Sequence, residues 1–472
     1  MMIVQENRKD FKSIEQKIYK MVCGLGCEML KQALERYDDI LMLERDRTIY
    51  RHKGARKTAI KTVMGTVEYE RGVYQRKHED GTKSCVFLLD EAIGKEGSGF
   101  MSELLSEMIV KAACESTYRG ASRSVSELTG QPISHTAAWK VVQELGKRVD
   151  TQEKQAANAA TANQGVGKLE TPVLFEEQDG IWLNLQGKDR KIHGSSKEMK
   201  VAIAYNGATK TGKKRYELTN KVACANFETA SKFQKRKEGV VAGTYNVDEI
   251  EIRLLNGDGA KWIRRAQTDE TVHFQLDPFH RNKAIRTYVK NDEMREQMIE
   301  FLYNKDIDTL LDYIEACANS VEDKQEQENL KTLLIYFTNN KDGLVPCHRR
   351  SLNLPEPPEG IEYRRMGAME SNIFTIIGNR MKGRRACWSL KGGNNLARLL
   401  CLKTTKKLSE TLQNLTTVAL PIEYSEEITT ILTPSKVAKS VGKGYSGYQK
   451  SIAPPTLDYK WLREIGAISS FF

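Results

Sequence analysis

A mixed α/β protein is what the sequence predicts, on three observations. Short apolar runs rich in β-branched and aromatic residues recur between residues 172 and 276. Helical periodicity dominates on both sides of that region. Helix and strand signals alternate towards its end, around Glu249 to Leu255. The 472 residues suffice for two to four domains, and 40% hydrophobic residues support sizeable cores.

Residues 8–45 contain no proline and place Phe11, Ile14, Ile18, Met21, Val22, Leu25 and Met29 at three-to-four spacing, which predicts a helix. Residues 48–76 switch to period two on either side of Gly65, which predicts a basic β-hairpin. Phe87 to Asp90 leads into a second helical block. Within 102–149, one helical pattern stops at Thr129-Gly130-Gln131-Pro132. Ser134 then caps another, whose apolar face is Ala138, Val141, Val142 and Leu145. Helix, short glycine-containing turn and capped helix form a helix-turn-helix pattern, with His135, Thr136 and Lys140 facing outward. Plain helical packing is the competing reading.

Residues 151–169, rich in Ala, Gln, Asn and Gly, read as a linker. Strands are expected at 172–178, 181–186, 199–205, 215–225, 249–255 and 271–276, with a helix near 226–236. Residues 281–345 return to helix, where Ile307, Leu310, Leu311, Ile314 and then Leu330, Leu333, Leu334, Phe337 keep helical spacing. Beyond Pro355-Glu356-Pro357-Pro358 the chain returns with a helix bearing Glu370, and a last helix is expected near 456–466.

The formal net charge of +11 suggests a polyanionic partner, and its distribution is uneven. Residues 286–330 hold five Lys/Arg against twelve Asp/Glu. The hairpin, with Arg51, Lys53, Arg56 and Lys57, is basic. So is the stretch holding Arg364, Arg365, Arg380, Lys382, Arg384 and Arg385, in which Glu370 is the only acid. The nine cysteines are scattered without a Cys-x-x-Cys pair and are expected to be free thiols in a reducing cytoplasm. No apolar run is long enough to span a bilayer, and residues 1–20 are polar, so no membrane association is expected.

Three carboxylates stand where chemistry is built. Asp258 sits in Asn256-Gly257-Asp258-Gly259-Ala260-Lys261-Trp262, held by glycines at the mouth of a strand. Glycine permits close approach of a phosphate backbone, and the acid offers a hard oxygen ligand to a divalent cation. Asp179 precedes it by 79 residues, at the end of a first strand that turns into Ile181-Trp182-Leu183. Glu370 follows by 112 residues at the start of a helix. Acids converging from separate elements can hold two Mg²⁺ ions about 3.5–4 Å apart. Each has a plainer reading: Asp179-Gly180 as a hairpin turn, Asp258 as a turn residue, Glu370 as a helix N-terminal acid. Glu176 and Glu177 compete with Asp179 as first ligand. Trp262 and Trp388 suit burial better than base stacking.

The series Gln178-Asp179-Gly180, Asn256 to Trp262, Asp277-Pro278-Phe279-His280 and Met369-Glu370-Ser371-Asn372 resembles bacterial insertion-sequence transposases of the DDE type. More closely, it resembles the ISLre group, related to the Mutator-like superfamily with an all-helical insertion. The basic hairpin from Tyr50 and the segment Ser134 to Trp139 match the front half of that group. The resemblance implies a ribonuclease-H-like catalytic domain (170–285 and 346–410) carrying a helical insertion (286–345). Before it would come an N-terminal helix with hairpin (1–100), a helix-turn-helix region (101–150) and the linker, and after it a tail (411–472). It implies Asp179, Asp258 and Glu370 as a catalytic triad binding Mg²⁺ or Mn²⁺, two ions, with Asp277 and His280 auxiliary. His280 also reads as a core histidine or a phosphate contact. DNA contacts are expected from Arg51, Lys53, Arg56, Lys57, His135, Thr136, Lys140, Arg380, Lys382, Arg384 and Arg385. The implied function is cleavage and strand transfer on double-stranded DNA by a cytoplasmic enzyme, at least dimeric on DNA. A non-catalytic DNA-binding relative or a ribonuclease-H-like nuclease are the alternatives.

Overall fold

A computed structural model describes residues 10–94, 101–162, 167–268, 270–383 and 385–416. Arg384 and the tail beyond 416, including the helix expected near 456–466, lie outside the described residues. The chain divides into two units, one of Met1–Ala33, Lys57–Tyr69 and Ser98–Thr416, the other of Leu34–Arg56, Glu70–Gly97 and Thr417–Phe472.

The first helix, α1, spans Phe11–Glu44. Strands β1 (Tyr50–Lys61), β2 (Thr66–Lys77) and β3 (Lys83–Val86) form a three-stranded sheet in that order. The β1–β2 turn closes where Thr62 N and Oγ1 both donate to Gly65 O (2.8 and 2.9 Å). In the smaller unit, Asp38 Oδ2 accepts from Gly72 N at 2.7 Å, which fixes β2 against the second half of α1. Short α2 (Leu88–Ala92) follows.

The larger unit continues with α3 (Glu103–Glu115), α4 (Tyr118–Thr129) and α5 (His135–Thr161). Gly130 ends α4 in the left-handed region (φ 67°), and Ser134 caps α5 through Ala137 N at 3.1 Å, as the sequence suggests. Residues 151–161, expected as linker, continue α5 instead. Asp150, just before that stretch, and Glu153 within it meet two buried arginines, Arg236 and Arg398, and Ala157 sits where Gly239 leaves no side chain.

The central sheet is mixed. Its strands are β4 (Val173–Leu185), β5 (Ser196–Tyr205), β8 (Val222–Asn226), β9 (Ile252–Gly257) and β10 (Val272–Leu276), in the order β10-β9-β4-β5-β8. β5 runs antiparallel to both its neighbours, β4 and β8, whereas β9 and β10 run parallel to β4. Between them lie α6 (Gly187–His193), the small hairpin β6 (Ala208–Gly212) and β7 (Arg215–Leu218), α7 (Ala230–Ala242) and α8 (Lys261–Arg264). β4 corrects one expectation. Val173–Leu185 form a single strand paired with β5 from Phe175↔Tyr205 to Asn184↔Ser196, so Asp179-Gly180 is mid-strand and no turn. Strand pairing over ten positions outweighs the local turn preference of Asp-Gly. Gly180 also leaves space that the Glu198 carboxyl fills from β5.

After β10 come α9 (Pro278–Tyr288), α10 (Asp292–Asn304), α11 (Ile307–Ser320) and α12 (Lys324–Asn339). Leu310, Ile314, Leu330, Leu333 and Phe337 are fully buried, in one core with Leu255, Phe274 and Leu276 of the sheet. The chain returns through α13 (Met369–Ile373), which continues as a π-helix over Phe374–Lys382. The two-residue strand β11 (Cys387–Trp388), α14 (Leu390–Thr404) and α15 (Leu408–Thr416) follow. The opposite face of β4, with Phe175, Ile181 and Leu183, packs on α5, α14 and the π-helix. All nine cysteines are free. No helix among the described residues is long and apolar enough to cross a membrane.

Candidate active site

The register of the sheet brings the acids together. Gln178 of β4 lies opposite Gly257 of β9, so Asp179 and Asp258 are the next residues on neighbouring parallel strands. β9 ends at Gly257, and the chain turns sharply at Gly259 (φ 83°). Asp258 Oδ1 stabilises this turn by accepting from Ala260 N at 2.8 Å. The insertion holds the same turn from outside. Tyr336 of α12 donates its hydroxyl to Asp258 O at 2.7 Å, and the Asn340 side chain lies where a Cβ on residue 259 would go.

The third acid, Glu370, is the second residue of α13, half-exposed. His280 of α9 stands between the acids. Its Nε2 lies 3.3 Å from Glu370 Oε1 and 3.8 Å from Asp179 Oδ2. Donor atoms of Asp179, His280 and Glu370 all fall within 4.8 Å of one another, close enough to serve one metal ion. Two carboxylates and an imidazole suit Mg²⁺ through the oxygens and Mn²⁺ through the whole set. Asp258 stands outside this trio but feels it electrostatically. Burial raises its pKa, the Ala260 N–H opposes the rise, and the charge of Asp179 adds to it. The facing carboxylate of Asp179 raises the pKa of His280, with burial pulling the other way. Acids that repel one another beside a protonatable imidazole form a site suited to a cation.

Asp277 points elsewhere. It is the N-cap of α9, with Oδ1 accepting from Phe279 N (2.9 Å) and His280 N (3.3 Å), and Pro278 takes the first helical position. Its part in the site is to aim His280. The two rivals of Asp179 are engaged elsewhere too. Glu176, on the other face of β4, is buried against Lys237 and Arg253. Glu177 shares the face of Asp179 but is fully buried, and it accepts five hydrogen bonds. The sequence reading missed that role for Glu177. Strand alternation puts residues 177 and 179 on one face, but the Glu177 partners at 367–369 lie far along the chain.

The expected DNA contacts fall into three groups. Arg51, Lys53, Arg56 and Lys57 are exposed on β1, and His135, Thr136 and Lys140 are exposed on the first turns of α5. Lys382, the last residue of the π-helix, and Arg385 beyond it are exposed. Arg380 does not belong with them. Its Nε donates to Ala113 O at 2.7 Å, and its guanidinium packs against Tyr118 and Trp388, so it ties the π-helix to α3. Trp262 and Trp388 are buried, as expected, whereas Trp139 and Trp182 are the exposed tryptophans among the described residues.

Relatives align along most of the chain. A Streptococcus gallolyticus protein described as "UPF0236 protein in vanSb 3'region" is 24% identical over 409 residues, 84% of each chain. Two relatives from Caldanaerobacter subterraneus subsp. tengcongensis, also UPF0236 proteins, are each 22% identical. One matches over 396 residues, 81% of this chain and 75% of its own. The other, whose name joins eleven locus designations, matches over 352 residues, 72% of this chain and 68% of its own. Among solved structures, the Drosophila P element transposase strand transfer complex aligns with 76% of this chain and 90% of its own, at 10% identity. Its TM-score of 0.22 is too low to support a shared fold. The family model described as "Uncharacterised protein family (UPF0236)" matches residues 4–411, and the chain belongs to that family.

Proposed function

We propose that the chain is a DNA transposase of the DDE type, which cleaves and joins DNA strands at a divalent-cation site formed by Asp179, Asp258 and Glu370. The observation that carries this reading is the strand register that sets Asp179 beside Asp258, together with the approach of Glu370 and His280, from beyond the sheet, to Asp179. The sheet supports a ribonuclease-H-like reading. Numbered by chain order within the sheet, its strands run 3-2-1-4-5, with the first three antiparallel and the last two parallel. α10–α12 are then the helical insertion between the second aspartate and the glutamate.

Bound at the acids, one or two Mg²⁺ ions would supply Lewis-acid activation for in-line displacement at phosphorus. The chain's own part is positioning. Strand register sets Asp179 beside Asp258, Tyr336 and Asn340 fix the Asp258 turn, and Asp277 aims His280 between the acids. Phosphates are held by the basic strand β1, and the first turns of α5 present His135, Thr136 and Lys140 to a groove. Pairing of two element ends calls for at least a dimer on DNA. A protein name shared by eleven loci in one genome, as in one relative, is the trace that a self-copying gene leaves.

The test uses purified protein, labelled element-end duplex and Mg²⁺. Wild type should nick the end and join it to a second duplex, and Asp258→Asn should lower both by at least about 10³-fold, a loss of about 4 kcal/mol of transition-state stabilisation. Equal activity of the two proteins would refute the proposal. Cleavage without joining would make the chain a nuclease, and DNA binding without either would make it a binding protein.

A further inference from the structure

Beneath the acids runs a buried polar chain that touches every element of the site. Glu177 and Asn256 are fully buried, and Gln275 and Asp277 nearly so. The Asn256 amide spends both of its protons on carboxylates, one on Glu177 Oε2 at 3.0 Å and one on Asp277 Oδ2 at 2.7 Å. Its oxygen accepts from Gln275 Nε2 at 2.8 Å, and Gln275 Oε1 in turn accepts from Cys347 N at 2.8 Å.

The two ends of this chain are helix starts. Glu177 accepts from the backbone N–H groups of Gly367 (3.0 Å), Ala368 (3.1 Å) and Met369 (3.2 Å), as well as from the Tyr205 hydroxyl (2.7 Å). The residue after Met369 is Glu370. At the other end, Asp277 caps α9 and ends on His280. In between, Glu177 precedes Asp179 by two residues on β4, and Asn256 of β9 precedes Asp258, just past the strand's end, by two. The first turn of α13 has no other side-chain cap. The backbone N–H groups at its start are therefore held by one carboxylate borrowed from the strand that carries Asp179, while Met369 and Ile373 pack in the sheet's core.

We propose that Glu177 and Asn256 are positioning residues that lock the starts of α13 and α9 to β4 and β9, and so hold Glu370 and His280 at the spacing a divalent cation needs. The inference rests on the metal-dependent reading of the site. Buried networks with every group satisfied hold geometry tightly, and loss of such an outer partner typically weakens metal affinity or activity about 10–100-fold.

The test measures Mn²⁺ binding directly, by the electron paramagnetic resonance signal of free Mn²⁺ during titration of purified full-length protein, alongside melting temperature and DNA cleavage. Wild type should bind Mn²⁺, and Asp258→Asn should bind it much more weakly. Glu177→Gln should bind about 10–100-fold more weakly than wild type, and cleavage should recover towards wild type at saturating Mn²⁺. Asn256→Ser, which removes both amide donors and adds no bulk, should show the same shift and stands in where Glu177→Gln does not fold. Glu176→Gln is the control for a buried carboxylate on the same strand but the other face, and it should lower the melting temperature while leaving Mn²⁺ affinity alone. If wild type binds Mn²⁺, Asp258→Asn does not, and both network variants bind like wild type, the positioning inference falls and the proposed function stands. If wild type binds no Mn²⁺, both fall.

Discussion

Removing Arg398 should unlock the rod-like helix α5 from the sheet. Arg398 on α14 is 5% exposed. It forms an ion pair with Asp150 Oδ1 at 2.6 Å and donates to Glu153 Oε2 at 3.2 Å and Asn395 Oδ1 at 3.1 Å. Arg236, equally buried, shares both α5 acids and adds Glu228 at 2.7 Å. With Lys154, whose Nζ lies 2.7 Å from Asp150 Oδ2, three cations thus face three carboxylates and the cluster is neutral. Taking Arg398 away leaves one uncompensated negative charge in a place that water scarcely reaches. A surface pair would cost at most about 1 kcal/mol on breaking, but a buried one costs about 3–5 kcal/mol because the stranded charges have no other partner. Arg398→Met keeps most of the volume, so packing loss adds little. With a urea slope of about 2 kcal/mol/M, a loss of about 4 kcal/mol moves the midpoint down by about 2 M. Glu153→Gln alone, which removes one acceptor charge, should cost about 1–3 kcal/mol. In the double variant the charges balance again, so its loss should fall short of the sum by about 1–2 kcal/mol. The assay is urea unfolding followed by circular dichroism for the four proteins of the cycle. An Arg398→Met midpoint within about 0.3 M of wild type would refute the reasoning, and so would losses that add within about 0.5 kcal/mol.

Gly259→Ala should cost about 1–2 kcal/mol of backbone strain at φ 83° and push Asn340 away from Tyr336 O. Because that turn carries Asp258, DNA cleavage should fall by about tenfold or more, and a variant that melts early yet cleaves at the wild-type rate contradicts the placement of Asp258. For His280 the folded pKa is raised, so the folded protein holds the proton more tightly than the unfolded chain. Its contribution to metal-free stability should be complete below about pH 6.5 and disappear as pH rises through the folded value. The urea-midpoint difference between wild type and His280→Asn in chelator should therefore shrink from pH 5.5 to pH 8.5, and a difference that grows over that range has the sign wrong. Lys53→Ala and Arg56→Ala should weaken binding to all duplexes alike and reduce the slope of log affinity against log salt by about 0.9 each. An unchanged slope in both would remove β1 from the DNA surface.

The legible parts of this fold were those written in short stretches of chain. Helical spacing marked the buried faces of α11 and α12 at Leu310, Ile314, Leu330, Leu333 and Phe337. Ser134 announced the start of α5, and Asp277-Pro278 carries the residue types of a helix N-terminus. Two errors share one cause. Asp179-Gly180 looks like a turn, and residues 151–161 look like a linker, because the partners that settle the matter, β5 for one and Arg236 with Arg398 for the other, are distant in sequence. The candidate site behaves in the same way. Glycine-flanked Asp258 is conspicuous by itself, but Glu177 between Glu176 and Gln178 is not, since its meaning comes from backbone N–H groups about 190 residues later.

The unbroken helix α5 has a metric consequence for the proposed function. One end presents His135, Thr136 and Lys140, and the other is riveted at Asp150 and Glu153 to arginines that belong to the sheet's flanking helices. From Lys140 to Glu153 the helix advances about 20 Å at 1.5 Å per residue. That distance corresponds to about six base pairs of B-form DNA at 3.4 Å each. A stiff strut of fixed length works as a calliper: a base sequence gripped at its tip lies a set number of steps from the cut. Lengthening α5 by one or two turns should then move the cleavage position along the duplex.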